Sequence, residues 1–121
     1  MAGEAIKLLN KKLNLPATGD EQDWEIELAD ANRINEFISF YENESLDDDK
    51  LYALMALIVG SLEDLACVHP IGEDVWEKIS ELLCSKYELH KPTIDYWSIV
   101  DNKCPDDLFK ITKLMRSLKC C

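Results

Sequence analysis

Glycine and proline are scarce in this chain, with four of each among 121 residues. A many-turned β fold would need more turn-formers than that. Histidine is scarcer still. His69 and His90 each stand beside a proline or one residue from it at an expected helix boundary, and neither begins an HxxxH ligand spacing. A capping or surface role is expected for both. The strings GxSxG, GxxxxGKS and GxGxxG are absent, which removes support for a hydrolase elbow or a phosphate-cradling loop. Gly60-Ser61 falls inside a helical run and forms no nucleophile turn. Cysteines number five, an odd count, with no CxxC spacing. That suits reduced thiols in a cytosol better than a disulfide framework. Cys67 and Cys84 fall on or near apolar helical faces and are expected as small core residues. Nothing marks either thiol as activated by His69 or His90. Carboxylates abound but are scattered, which is poor support for a general acid/base pair. The chain is therefore expected to be no enzyme and to need no cofactor or metal. The N-terminus lacks a basic leader region, and its first apolar stretch is interrupted by Lys7, Asn10, Lys11 and Lys12. No secretory signal is expected, and the cytoplasm is the expected location. The Cys120-Cys121 ending resembles a dual-prenylation signal, but a frayed tail over residues 116–121 is the preferred reading.

Long apolar runs are also missing, with one exception. Residues 51–62, LYALMALIVGSL, carry no charge. Leu51, Leu54, Met55, Ile58, Leu62, Leu65 and Ala66 follow the i, i+3, i+4, i+7 spacing of a helix face. The opposite face, with Tyr52, Ala53, Ala56, Leu57, Val59 and Gly60, is no more polar. A helix apolar on every side must be buried on every side. A membrane span needs about 20 apolar residues, more than this run provides. The expectation is an all-α fold, with about six helices in an irregular bundle or short α-solenoid-like array around one buried central helix. Ala53, Ala56 and Gly60 make a small-residue stripe where a neighbour can approach closely. One domain spanning residues 1–121 is expected, opening with a helix and loop over residues 1–23.

The flanking segments fill in that scheme. Residues 3–13 form an amphipathic helix ended by Leu15-Pro16. Residues 24–28, WEIEL, alternate in the manner of a strand, but a lone strand has no partner, so an extended segment or a helical turn is as plausible. Asp30 caps a helix over residues 31–43. Ser45 caps the central helix, and Asp47, Asp48 and Asp49 oppose its dipole in the first turn. These three aspartates point in different directions around the helix, which argues for capping over metal binding. Residues 68–72, VHPIG, break the chain before a helix over residues 73–87. Lys91-Pro92 opens the next helix, since proline at the first position forfeits no hydrogen bond. Residues 104–118 hold the last, with Thr112 able to restart it after a kink.

Charge is distributed unevenly. Between positions 20 and 49 lie twelve acids and one base, Arg33, a net −11 that equals the charge of the entire chain. Lys110, Lys113, Arg116 and Lys119 make the end of the chain basic. So negative a protein is disfavoured for direct nucleic-acid binding, because it must overcome phosphate repulsion. A basic protein partner suits it better. The aromatics Trp24, Tyr41, Tyr96 and Trp97 stand next to acids, and an aromatic rimmed by carboxylates is what a hot spot for a basic protein requires. Adjacent Tyr96 and Trp97 cannot both face one core, so one of them is exposed. The expected partner-binding residues are Asp23, Trp24, Glu25, Glu27, Asp30, Glu42, Glu44, Asp95 and Tyr96.

Taken together, DWEIELADANRINEFISFYENESLDDDKLYALMALIVGSLEDL, LHKPTIDYWS and DLFKITKLMRSL resemble small acidic immunity proteins of bacterial polymorphic toxin and contact-dependent inhibition systems. The likeness runs from about Trp24 to Leu118. It implies a cytosolic, non-enzymatic inhibitor that neutralises a cognate toxin by binding it, a basic nuclease being one such target. It transfers no contact residue, because those families share no common contact set. The competing expectation is a helical adaptor that presents a groove, with Lys110, Lys113, Arg116 and Lys119 as its contact stripe.

Overall fold

A computed structural model describes residues 3–18, 24–98 and 110–118. Among them every regular element is helical: α1 (Gly3–Lys12), α2 (Trp24–Glu27), a 3-10 turn (Ala31–Arg33), α3 (Ile34–Asn43), α4 (Asp48–Val68), α5 (Glu73–Ser85), α6 (Tyr87–Ser98) and α7 (Thr112–Arg116). The all-α bundle is the one expected. The element beyond the expected six is α2, where the apolar–acidic alternation folds as a single helical turn. Ile99, Val100, residues 104–109, Lys119 and the Cys120-Cys121 tail lie outside the described residues.

Helix α4 is the hub. Leu54, Met55, Leu57, Ile58, Val59 and Leu62 are fully buried. The helix has neighbours on all sides, because α1, α2, the 3-10 turn, α3 and α6 pack against it. At 21 residues it is longer than its uncharged dozen. At about 1.5 Å per residue such a rod of that hydropathy is long enough to cross a bilayer, so shortness does not exclude a span. What surrounds this helix is other helices of the chain: 61% of its most apolar window is buried inside the fold.

The small-residue stripe acts as expected. A Cβ built on Gly60 would collide with the backbone carbonyl oxygen of Glu25 and touch the Ala29 side chain. Gly60 therefore lets α2 lie directly on α4. Ser61 pins the next segment: its hydroxyl donates to the Leu57 carbonyl at 2.8 Å and accepts the Asp30 N–H at 3.0 Å. Asp30 caps as expected, accepting the Asn32 N–H at 2.9 Å.

Two boundaries and two cysteines differ from expectation. The cap of α4 is Asp47, whose carboxylate accepts both the backbone N–H and the ammonium of Lys50 at 3.0 Å; Ser45 lies in the loop ahead of it. The bend between α5 and α6 falls at Lys86 (φ −131°, ψ 53°), so α6 starts at Tyr87 and Pro92 lies inside it. Proline there forfeits one helical hydrogen bond. Cys67 is a free thiol, as expected, but is exposed in the last turn of α4 and so is no core residue, while Cys84 is half-buried and disulfide-bonded, against the expectation of a reduced thiol.

The C-terminal helix is tied to the bundle by polar contacts. The Glu63 carboxylate accepts the N–H groups of Lys110 and Ile111 at 3.1 and 3.0 Å. Thr112 Oγ1 donates to the Trp97 carbonyl at 2.9 Å, and Arg116 Nε to the Ser98 carbonyl at 2.7 Å. Ile111 and Met115 complete the apolar contact.

Candidate partner-binding site

The expected binding residues divide into groups. Asp23 lies outside the described residues. Trp24 is 3% exposed, and its indole N–H donates to Asn10 Oδ1 at 2.8 Å. It locks α2 to α1 and cannot serve as a surface anchor. Asp30 is spent on its cap. Glu42 and Glu44 line a groove of about 470 Å³ beside Leu46 and Leu82, where Glu42 pairs with Lys78 at 3.3 Å.

The remaining residues meet in one place. Glu25 of α2 and Tyr96 of α6, 71 positions apart, line a cleft of about 170 Å³ with Tyr52 and Ala56 of α4 and Pro92 and Thr93 of α6. Tyr96 is 54% exposed while Trp97 is buried, as their adjacency requires. The two rings meet edge-on, with centroids 5.3 Å apart and planes at 81°. Asp95 stands beside the cleft but is held by Lys91 at 3.2 Å. Glu27 is exposed on the same short helix.

Electrostatics narrow the acidic stretch further. Its one base is consumed internally: Arg33 forks Glu36 with bonds of 2.9 and 2.6 Å, donates to the Leu13 carbonyl and lies 5.1 Å over the Phe37 ring. The hydrogen bond to Arg33 lowers the Glu36 pKa, and the bond to Glu36 raises that of Arg33. Asp47 and Asp48 pair with Lys50 and Lys86. Such exposed pairs stabilise little, about 0–1 kcal/mol. Glu25, Glu44 and Asp49 make no ion pair among the described residues.

Two features escaped sequence reasoning. His90, expected as a capping or surface residue, is fully buried, with Nε2 2.7 Å from the Tyr41 hydroxyl and Nδ1 without a hydrogen-bond partner among the described residues. Burial lowers its pKa to about 4 and raises that of Tyr41 to about 12. Its position in α6, opposite α3, is a tertiary fact with no local signal. His69 is exposed at the end of α4, as expected. The second feature is a groove of about 380 Å³ where α4, α5 and α7 converge, walled by Ala66, Ile71, Trp76 and Leu114. The expected basic stripe runs past it, but Arg116 donates to the Ser98 carbonyl, which leaves Lys110 and Lys113 as its exposed lysines among the described residues.

No group of three or more metal-ligating side chains is assembled among the described residues. Comparison with protein-family models, curated proteins and solved structures returns no match.

Proposed function

We propose that this chain is a non-enzymatic inhibitor that binds a basic toxin domain in the cytoplasm, in the manner of the immunity proteins its sequence resembles. The observation that carries the proposal is the meeting of Glu25 and Tyr96 in one cleft. A carboxylate and an exposed aromatic from distant parts of the chain form a recessed spot of the kind that dominates binding energy. The negative charge around it would attract a cationic domain and orient its approach. A blocked toxin needs no chemistry from its inhibitor, only occlusion of its own site.

The test is to sequence the genes flanking this one and to co-express the chain with any toxin domain they encode. Restored growth and a stable complex on gel filtration are expected. Continued killing with no complex rejects the proposal. A second reading, a helical adaptor, is favoured by one observation, the apolar groove between α4, α5 and α7. Absence of any toxin gene nearby would turn attention to it.

A further inference from the structure

We propose that the cleft between α2, α4 and α6 receives a single arginine side chain from the partner. The inference rests on the binding-protein reading above and specifies what that site recognises. At about 170 Å³ the cleft accommodates one side chain, not a helix or strand. Its lining sorts into three chemistries. Glu25, half-buried as a residue, supplies a carboxylate with no ion pair among the described residues. Tyr52 and Tyr96 supply aromatic rings from two different helices. Ala56 and Pro92 supply apolar wall, since proline has no N–H to present.

That combination matches arginine from end to end. The guanidinium is planar, weakly hydrated and able both to stack on a ring and to hydrogen-bond a carboxylate. The methylene stem packs on apolar surface. A lysine ammonium is more strongly hydrated and does not stack. Glu25 shares its cleft with two tyrosines, whereas Glu77 and Glu81 of α5 stand exposed. The edge contact with Trp97 holds the Tyr96 ring in place before the ligand arrives, which lowers the ordering cost of binding. The nearby positive charge, Lys91, is occupied by Asp95.

The probe is the peptide acetyl-Gly-Arg-Gly-amide, titrated into the isotope-labelled full chain and followed by NMR, with the citrulline and lysine peptides in parallel. The arginine peptide is expected to shift the Tyr52 and Tyr96 ring signals and the Glu25 side-chain carbons, and the citrulline peptide to leave them unmoved. Tyr96→Ala should weaken the arginine peptide about three- to thirtyfold, and Tyr96→Phe should retain it. Glu25→Gln should abolish the preference over citrulline. Shifts spread equally over Glu77 and Glu81, equal response to lysine, or equal response to citrulline each overturn the proposal. The two readings fail separately. If the toxin is neutralised but Tyr96→Ala and Glu25→Gln bind it within twofold of the parent, the arginine site is wrong and the inhibitor stands. If the peptide seats in the cleft but no toxin is neutralised, the reverse holds.

Discussion

The Tyr41 hydroxyl and His90 Nε2 lie 2.7 Å apart in the core, joining α3 to α6 across 49 positions. The ring is fully buried, and its other nitrogen has no hydrogen-bond partner among the described residues. The imidazole is therefore held neutral, its pKa lowered from 6.5 to about 4 by burial. The unfolded chain takes up a proton near pH 6.5 and the folded one does not until about pH 4. Stability should be full above pH 6.5, fall as the pH drops through that window and reach its floor below about 4. Urea midpoints measured from pH 7.5 to 4 check this. The slope should be reduced in His90→Leu, and an equal slope in that variant contradicts the assignment. Tyr41→Phe, which removes one partner of a buried pair, should lose about 1–3 kcal/mol at pH 7.

Gly60 carries the approach of α2 to α4. Gly60→Ala would drive a Cβ into the Glu25 carbonyl, and backbone cannot yield as a flexible side chain does. A loss of about 1–3 kcal/mol is expected, comparable to overpacking a core. Because Glu25 moves with α2, the variant should also lose the arginine-peptide signal at Tyr96. Gly3→Ala, with nothing within 4 Å of the added Cβ, should stay within about 0.5 kcal/mol of the parent. Equal stability of the two variants would mean that the close approach is not maintained in solution.

Glu63 holds α7 by accepting two backbone N–H groups. Glu63→Ala should remove both bonds, and Glu63→Gln should keep one. Hydrogen exchange at the Lys110 and Ile111 amides should accelerate strongly in the first and less in the second, while the amides of Leu57 and Ile58 keep their protection. Hydrogen bonds to a charged acceptor contribute about 1.5–3 kcal/mol each, with exposure reducing that figure here. Unchanged exchange at Lys110 would show that Thr112 and Arg116 suffice to dock the helix.

How much of this was legible follows from what is local and what is not. The burial of α4 was written in its own residues, because a rod apolar on all sides has no solvent face. The contact at Gly60 was legible as a stripe of small side chains, and the Tyr96–Trp97 division followed from helical geometry. The cap at Asp47 was not, since Ser45 and Asp47 are both good caps and the choice depends on where the loop turns. Pro92 signalled a helix start, but the chain breaks earlier, at Lys86, and accepts one lost bond. The burial of Trp24 has no local signal, since its acidic neighbours suggest surface, whereas the indole is held inward by Asn10 and the close seat of α2. His90 gave no signal, since burial opposite Tyr41 is decided by the packing of α6.

The charge of the acidic stretch leads to a kinetic prediction. Asp30 must be left out of any reversal, because it caps the 3-10 turn and its N–H is bonded to Ser61, so changing it would confuse folding with binding. Glu25, Glu27 and Glu44 are the set to convert to lysine. Long-range attraction acts on the rate of encounter and is screened over about 8 Å at physiological salt. The triple variant should associate with the basic toxin domain at least about tenfold more slowly at low ionic strength. The parent should slow as salt is added and the variant much less, so the two rates should converge near 0.5 M, roughly where the screening length falls to a few ångström. Dissociation should change less for Glu27 and Glu44, which do not line the cleft, than for Glu25, the carboxylate proposed to receive the arginine. An association rate unaltered by the reversal would mean that the negative exterior only keeps the chain in solution and that recognition belongs to another surface.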